Sequence, residues 1–205
     1  MKLENVELAY DKARLELSRR DPYDIAARSE ARFEKTSAER GHFEIPFLGR
    51  THVVDYPEGF VSLRNGDQIP IITKTILLHY LLTADGTRLT GEWINFRRLP
   101  GGLLYLSAFQ AQCLAPLARE FGSDLPRFLR AGEAAGGEQV RMGDGSFLFR
   151  VLPRFLVICV LWLGDDEFPP AADFLFDASA PHYLSTEDIE VLCFELADRL
   201  MGRSS

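Results

Sequence analysis

A run of nine apolar residues at positions 155–163, FLVICVLWL, constrains the fold more than any other segment of the chain. The run is about half of the roughly 20 residues that a membrane-spanning helix needs. It is rich in β-branched and aromatic side chains, which favour strands. A strand that is apolar on both faces must be covered above and below its sheet. We therefore predict that residues 155–163 form an interior strand with a neighbour on each side.

The first third of the chain has helix-like and then strand-like patterns. Apolar residues recur three and four positions apart, which predicts an amphipathic helix ending near Arg20; they are Leu3, Val6, Tyr10, Ala13 and Leu17. Asp21 followed by Pro22 predicts a second, short helix through about Ser29. Alternating apolar residues between turn-forming residues then predict a small antiparallel meander over residues 43–66.

The rest of the chain continues in blocks of helices and strands. Helices are predicted over residues 73–86, 107–121, about 124–135 and from Ser185 to about residue 200. Strands are predicted over residues 146–152 and 173–179, in addition to 155–163. Because the two kinds of element are grouped, we predict an α+β fold with a mixed, largely antiparallel sheet and flanking helices. We expect a single globular domain over residues 1–205, with a helical segment at about 1–30 and an α+β body at about 31–205.

The charge balance limits the classes of partner. A net charge of −7 and a pI near 5.2 argue against a nucleic-acid partner, because phosphate binding needs clustered lysine and arginine. The first 21 residues carry charges every few positions, where a secretory signal peptide would need an unbroken apolar stretch. We expect no membrane association and a cytoplasmic location.

The three cysteines agree with a reducing compartment. Cys113, Cys159 and Cys193 are odd in number, far apart and without a Cys-x-x-Cys pair. This spacing predicts neither a disulfide framework nor a metal or iron-sulfur ligand set. We interpret them as buried apolar residues rather than as catalytic thiols, and we assign no metal.

One stretch, LTGEWINFRRLPGG at residues 89–102, concentrates residues that are typical of binding sites. With Thr90 as N-cap, it predicts a short helix over residues 91–98. Glu92 in the first turn and Arg97 and Arg98 in the last would complement the helix dipole. We expect Trp93 to be mostly buried and one of the two arginines to turn inward, where it needs a carboxylate such as Glu92 or Asp177, or a bound anion.

The glycine pair that ends this stretch allows two interpretations. Gly101 and Gly102 can adopt positive φ and present successive amides to an anion. The same Pro-Gly-Gly sequence is also an ordinary chain-reversing turn, and it lacks the Gly-x-Gly-x-x-Gly and Gly-Lys-Ser/Thr patterns of phosphate loops. The sequence is compatible with both the anion-binding interpretation and the turn interpretation.

The histidines are the remaining chemical candidates. His79 lies in a predicted buried helix and is expected to be a core histidine. Asp177 and His182 lie in a loop after a predicted strand, where functional side chains often collect. If His52, Asp177 and His182 converged, they could ligate a metal or form an acid-base set.

Several segments together resemble one protein family over nearly the full chain. They are LLHYLLTADGTRLTGEWINFRRLPGG, FQAQCLAPLAREFG and LWLGDDEFPPAADFLFDASAPHYLSTEDI. They resemble the uncharacterised family called domain of unknown function 3786. The resemblance implies a cytoplasmic protein of anaerobic bacteria or archaea, some of whose relatives carry an extra iron-sulfur-binding segment. It implies no activity, and this chain has no cysteine ladder to hold such a cluster.

The sequence favours a ligand- or partner-binding accessory protein without an assignable cofactor. The expected partner is a small anionic ligand or another protein. One wall of the site is expected to comprise Glu92, Trp93, Arg97, Arg98, Gly101 and Gly102, and a second wall Asp177 and His182. The alternatives are an enzyme whose acid-base residues lie in the loop from Asp177 to His182, and a purely structural or interaction domain.

Overall fold

The computed structural model describes residues 3–203, with side chains from residue 5 onward. The described residues contain helices and two antiparallel sheets, which confirms the predicted α+β class. The backbone divides into two compact units. The first comprises the chain up to residue 88 with residues 152–154 and 182–184, and the second the remaining segments from residue 89. That residues 1–205 form one domain stays a prediction.

The first unit contains three helices and a four-stranded sheet. The helices are α1 (Leu3–Leu17), α2 (Pro22–Ser29) and α3 (Ile71–Thr83). The strands, in sheet order, are β1 (Arg32–Lys35), β2 (Gly41–Phe47), β3 (Arg50–Tyr56) and β4 (Val61–Leu63). The meander predicted over residues 43–66 is confirmed as β2 to β4. Strand β1 was not predicted, because its four residues are polar or half-exposed and give no apolar alternation.

Local sequence signals explain the two N-terminal helices. The stripe predicted for α1 is buried at Val6, Tyr10, Ala13 and Leu17, whereas the side chain of Leu3 lies outside the described residues. Asp21 caps α2, since its Oδ1 accepts hydrogen bonds from the amides of Tyr23 (2.8 Å) and Asp24 (3.0 Å). Both helices therefore confirm the predicted pattern.

The second unit contains a five-stranded sheet with helices. The strands, in sheet order, are β5 (Trp93–Asn95), β9 (Ala171–Asp177), β8 (Phe155–Trp162), β7 (Gly145–Leu152) and β6 (Glu138–Gln139). The helices are α4 (Gly102–Phe109), α5 (Ala115–Phe121), α6 (Leu125–Ala134) and α7 (Thr186–Leu200). Strand β8 has β9 on one side and β7 on the other, and residues 157–161 are buried. The predicted interior strand is confirmed.

The helix predicted over residues 91–98 is wrong. Residues 93–95 form β5, which pairs with β9 in the register Trp93↔Asp177 and Ile94↔Phe176, and a 3₁₀ turn follows at residues 96–98. Alternation along a strand turns Ile94 inward and leaves Trp93 on the other face. Trp93 is therefore half-buried instead of mostly buried, and Ile94 is the buried residue.

The helix predicted from residue 107 begins at Gly102 and contains a wider turn. Residues 110–114 form a π-helical turn between α4 and α5, and the amide of Ala115 donates to the carbonyl of Gln110. Pro116 explains this turn, because it has no amide hydrogen and its ring clashes with the carbonyl four residues earlier. The end of α5 at Gly122 agrees with the prediction.

Candidate functional site

Asp177, a predicted site residue, is buried at the end of β9 and fully engaged by the protein. Its carboxylate accepts hydrogen bonds from the amides of Thr90 (3.0 Å), Gly91 (2.8 Å) and Ser179 (2.9 Å). The hydroxyls of Thr90 and Ser179 also donate to it, at 3.1 and 2.7 Å. Burial acts to raise the pKa of Asp177, but these donors outweigh it and the pKa lies below its usual value. The geometry is that of a structural clamp between two loops.

Both predicted arginines are exposed, so the expectation that one turns into the core is wrong. The reason is the 3₁₀ turn, in which Phe96 and Leu99 take the two buried positions. Arg98 lies 3.7 Å from Glu92, and both side chains are about two-thirds exposed. Arg97 has no ion-pair partner among the described residues.

The glycine pair has a structural explanation. Gly101 has φ of +71°, and Gly102 lies so close to the carbonyl oxygen of Phe96 that a Cβ would collide with it. The amide of Gly102 donates to the carbonyl of Leu99 at 2.9 Å. Since this amide is occupied, Gly101 and Gly102 do not present two free amides to an anion, and the chain-reversing turn is the interpretation that fits.

His182 belongs to the first unit and pairs with a residue that the sequence did not suggest. Its Nδ1 lies 2.7 Å from Oδ2 of Asp85, on an exposed surface. Hydrogen bonding from Thr87 lowers the pKa of Asp85 to about 2, with a smaller contribution from His182. Asp177 and His182 therefore each have other hydrogen-bond partners, and neither requires the other as an acid-base partner.

The set of His52, Asp177 and His182 does not form a metal site. Within residues 3–203, no group of three or more histidine, cysteine or acidic side chains could hold a metal ion. His52 is buried against the ring of Phe47, and its Nδ1 lies 3.2 Å from the carbonyl oxygen of Arg50. Burial lowers the pKa of His52, which is the behaviour of a neutral core histidine.

Arg97 lies instead at a small cavity in the second unit. The cavity has a volume of about 210 Å³ and its polar lining residues are Asn95, Arg97, Gln110 and Asp173. Its apolar lining includes Phe96 and Phe109, whose rings stack with centroids 4.0 Å apart and planes 10° apart. One cation, two amides and one carboxyl group are thus among the residues that line this cavity.

Three neighbouring segments of the chain position these polar groups. Asn95 ends β5 and Arg97 lies in the 3₁₀ turn directly after it. Gln110 begins the π-helical turn, an irregularity that is frequent at functional sites. Asp173 lies in β9, where burial raises its pKa and the amide of Phe174 donates to its Oδ1 at 2.9 Å.

A comparison with protein-family models identifies the family of the chain. The model of the domain of unknown function DUF3786 matches residues 21–199. The chain belongs to the DUF3786 family. No curated protein and no solved structure matches this DUF3786 chain. Within residues 3–203, no helix is long and apolar enough to cross a membrane.

Sequence reasoning found only one polar residue of the cavity in this DUF3786 protein. Arg97 was predicted, whereas Asn95, Gln110 and Asp173 were not. Asn95 and Gln110 are isolated amides in apolar surroundings and carry no motif. A signal did exist for the π turn, since Pro116 interrupts a predicted helix. Glu92, Trp93, Arg98, Gly101 and Gly102 do not line the cavity.

Proposed function

We propose that the protein is a cytoplasmic accessory protein that binds a small organic oxyanion, a carboxylate or phosphate, in the cavity beside Arg97. The observation that carries the proposal is Arg97, which lines a polar cavity and forms no ion pair with a carboxylate of the described residues. Arginine binds planar oxyanions through two parallel hydrogen bonds. A ligand would supply the partner that the protein does not.

The cavity indicates the size and character of the ligand. A volume of about 210 Å³ lies below the roughly 300–1,000 Å³ that is typical of ligand pockets, which favours a small ligand. The half-buried residues Leu106 and Leu114 also line the cavity and can contact a short carbon chain. The amides of Asn95 and Gln110 can each donate and accept a hydrogen bond. These features favour a small metabolite with one oxyanion group.

Asp173 adds a pH dependence to the proposed site. Because burial raises its pKa, the protonated form persists to a higher pH than that of an exposed aspartate. The protonated carboxyl group donates a hydrogen bond to an oxyanion, whereas the ionised group repels it. The ligand should therefore bind more tightly at the acidic side of the pKa of Asp173.

The two rival interpretations of the sequence have less support. Acid-base catalysis by Asp177 and His182 would need a free carboxylate, but five donors engage that of Asp177. A purely structural role would give no use to the four polar residues that line one cavity, Asn95, Arg97, Gln110 and Asp173. The cytoplasmic location in the proposal is supported by three buried free cysteines, which agree with a reducing compartment.

Isothermal titration calorimetry with acetate, lactate, succinate and inorganic phosphate tests the proposal. We expect at least one of these anions to bind the parent protein, and the Arg97→Ala variant to lose at least tenfold in affinity. Arg98→Ala is the matched control, because Arg98 is an adjacent exposed arginine that does not line the cavity. Equal loss in both variants would indicate non-specific attraction to positive charge and would remove the proposed site.

A further inference from the structure

A second cavity, of about 410 Å³, lies in the first unit and has an aromatic lining. The rings of Tyr23, Phe33 and Tyr56 contribute to it, together with Pro22 and Pro57. Tyr23 comes from α2, Phe33 from β1 and Tyr56 from β3, so three elements converge on it. No prediction from the sequence pointed to this cavity, because its three rings are far apart along the chain.

The ring of Phe33 makes edge-to-face contacts with the other two rings. The ring of Tyr23 is 5.3 Å from that of Phe33 at an interplanar angle of 80°, and the ring of Tyr56 is 5.9 Å from it at 87°. Phe33 lies over Gly41, where any side chain would collide with its ring. The hydroxyl of Tyr56 donates to the carbonyl of Arg20 at 2.9 Å. Phe33 and Tyr56 are thus fixed by the fold, whereas Tyr23 is 58% exposed.

The lining has two acidic and two basic side chains, but one of the basic side chains is paired with a carboxylate outside it. Asp21 and Glu39 are acidic, and Lys35 and Arg40 are basic. Arg40 is neutralised by Glu58, which lies 2.8 Å away and does not line the cavity. Among the described residues, neither Lys35 nor Glu39 forms an ion pair. One net negative charge therefore remains around the three rings.

Three aromatic rings beside one net negative charge are suited to an organic cation. The faces of aromatic rings carry partial negative charge and attract ammonium groups, and quaternary ammonium ligands are bound by such aromatic enclosures. Arginine side chains lie over the rings of other aromatic residues, namely Tyr10, Phe60 and Phe121. No arginine or lysine of the described residues lies over Tyr23, Phe33 or Tyr56. Lys35 and Arg40 line the cavity, but no cation of the described residues lies over any of its three rings.

We propose that the cavity formed by Tyr23, Phe33 and Tyr56 is a binding site for an alkylammonium ligand. The methyl groups of the ligand lie against the three rings, and its positive charge lies near Glu39 and Asp21. Lys35 carries the same positive charge as the ligand and therefore lowers the affinity of the site. The site is independent of the proposed oxyanion cavity, since no residue lines both.

Choline is a suitable probe, and 3,3-dimethyl-1-butanol is its uncharged isostere. In a titration followed by NMR, we expect choline to bind the parent protein and the isostere to bind at least tenfold more weakly. Tyr23→Leu should weaken choline binding at least threefold, whereas Tyr23→Phe, which keeps the ring, should leave it unchanged. Tyr23 is exposed, so neither change should unfold the protein.

Variants that change the charge of the lining test whether the ligand is a cation. Lys35→Gln should strengthen choline binding two- to fivefold, and Glu39→Gln should weaken it by a similar factor. Lys12→Gln, an exposed change on α1 outside the cavity, is the control and should have no effect. Equal binding of choline and its isostere, no binding of choline to the folded protein, or benzoate binding that Lys35→Gln weakens would each overturn the proposal. Arg97→Ala should leave choline binding unchanged.

Discussion

Thr90 donates both its backbone amide and its hydroxyl to the carboxylate of Asp177, at 3.0 and 3.1 Å. Thr90 precedes β5 and Asp177 ends β9, and these two strands are neighbours at the edge of the sheet. The interaction therefore fastens the segment that leads into β5. Because Asn95 and Arg97 follow on the same segment, the clamp also determines where two polar groups of the oxyanion cavity lie.

Asp177→Ala should destabilise the second unit by about 3 kcal/mol at pH 7, because several buried donors lose their acceptor. The pKa of Asp177 is lowered in the folded protein, so its stabilising contribution is complete above the usual carboxyl pKa. It is lost as the pH falls through the folded pKa. Urea unfolding at pH 7 and at pH 3 should show a smaller difference at the lower pH. Asp166→Asn, an exposed change, is the control; a pH-independent difference for Asp177→Ala would contradict the clamp.

Tyr80→Phe should destabilise the first unit by about 1–3 kcal/mol. The hydroxyl of Tyr80 donates to the carbonyl of Ser29 at 2.6 Å and accepts from the amide of Arg154 at 3.1 Å. Burial raises the pKa of Tyr80, so the hydroxyl remains a donor at all ordinary pH values. Equilibrium urea unfolding measures the effect, with Tyr23→Phe as the control for loss of an exposed hydroxyl. A change no larger than that of the control would remove this role of Tyr80.

The three thiols should be unreactive in the native protein. Burial raises the pKa of Cys113 to about 12 and also raises the pKa values of Cys159 and Cys193. Because the thiolate is the reactive form, iodoacetamide at pH 8 should label none of them in buffer and all three in urea. Mass spectrometry counts the labels. Rapid native labelling of any one cysteine would show that it is accessible and would reopen the catalytic interpretation.

The sequence predicted those elements whose signals are local. Asp21 and Ser185 begin helices because each side chain caps free amides, and the apolar run at β8 had to lie inside a sheet. Residues 91–98 were wrongly predicted as a helix, because their charges complement a helix dipole. Their pairing with β9 is a long-range interaction that the local sequence does not show. Side-chain capping is visible in a few consecutive letters, but strand pairing over some eighty residues is not.

The distinction between local and long-range signals also holds for the candidate site. Arg97 was predicted from its local sequence, but the partners expected for it, Glu92 and Asp177, are engaged elsewhere. Asp173 and Gln110 reach the cavity because β9 and the π turn meet there, which depends on tertiary packing. Similarly, Asp85 was not predicted as the partner of His182, since 97 positions separate the two residues.

Oxyanion binding should weaken as the pH rises through the pKa of Asp173. Burial raises that pKa above the usual value of 3.8, so the protonated carboxyl persists to a higher pH and the ionised form then repels the ligand. Asp173→Asn should tighten binding at pH 7 and flatten the profile, because the amide donates a hydrogen bond at every pH. Titrations at a series of pH values measure this. Identical profiles for the parent and Asp173→Asn would show that Asp173 does not face the ligand.

The most direct test of oxyanion binding beside Arg97 is the affinity of a small oxyanion for the parent protein, Arg97→Ala and Arg98→Ala, measured by calorimetry in one buffer. Circular dichroism and urea unfolding should first show that all three proteins are folded and equally stable, since both arginines are exposed. We expect binding to the parent and to Arg98→Ala with similar affinity, and a loss of at least tenfold for Arg97→Ala. Binding that is unaffected by Arg97→Ala, or no binding of any tested carboxylate or phosphate to the parent, would contradict this expectation.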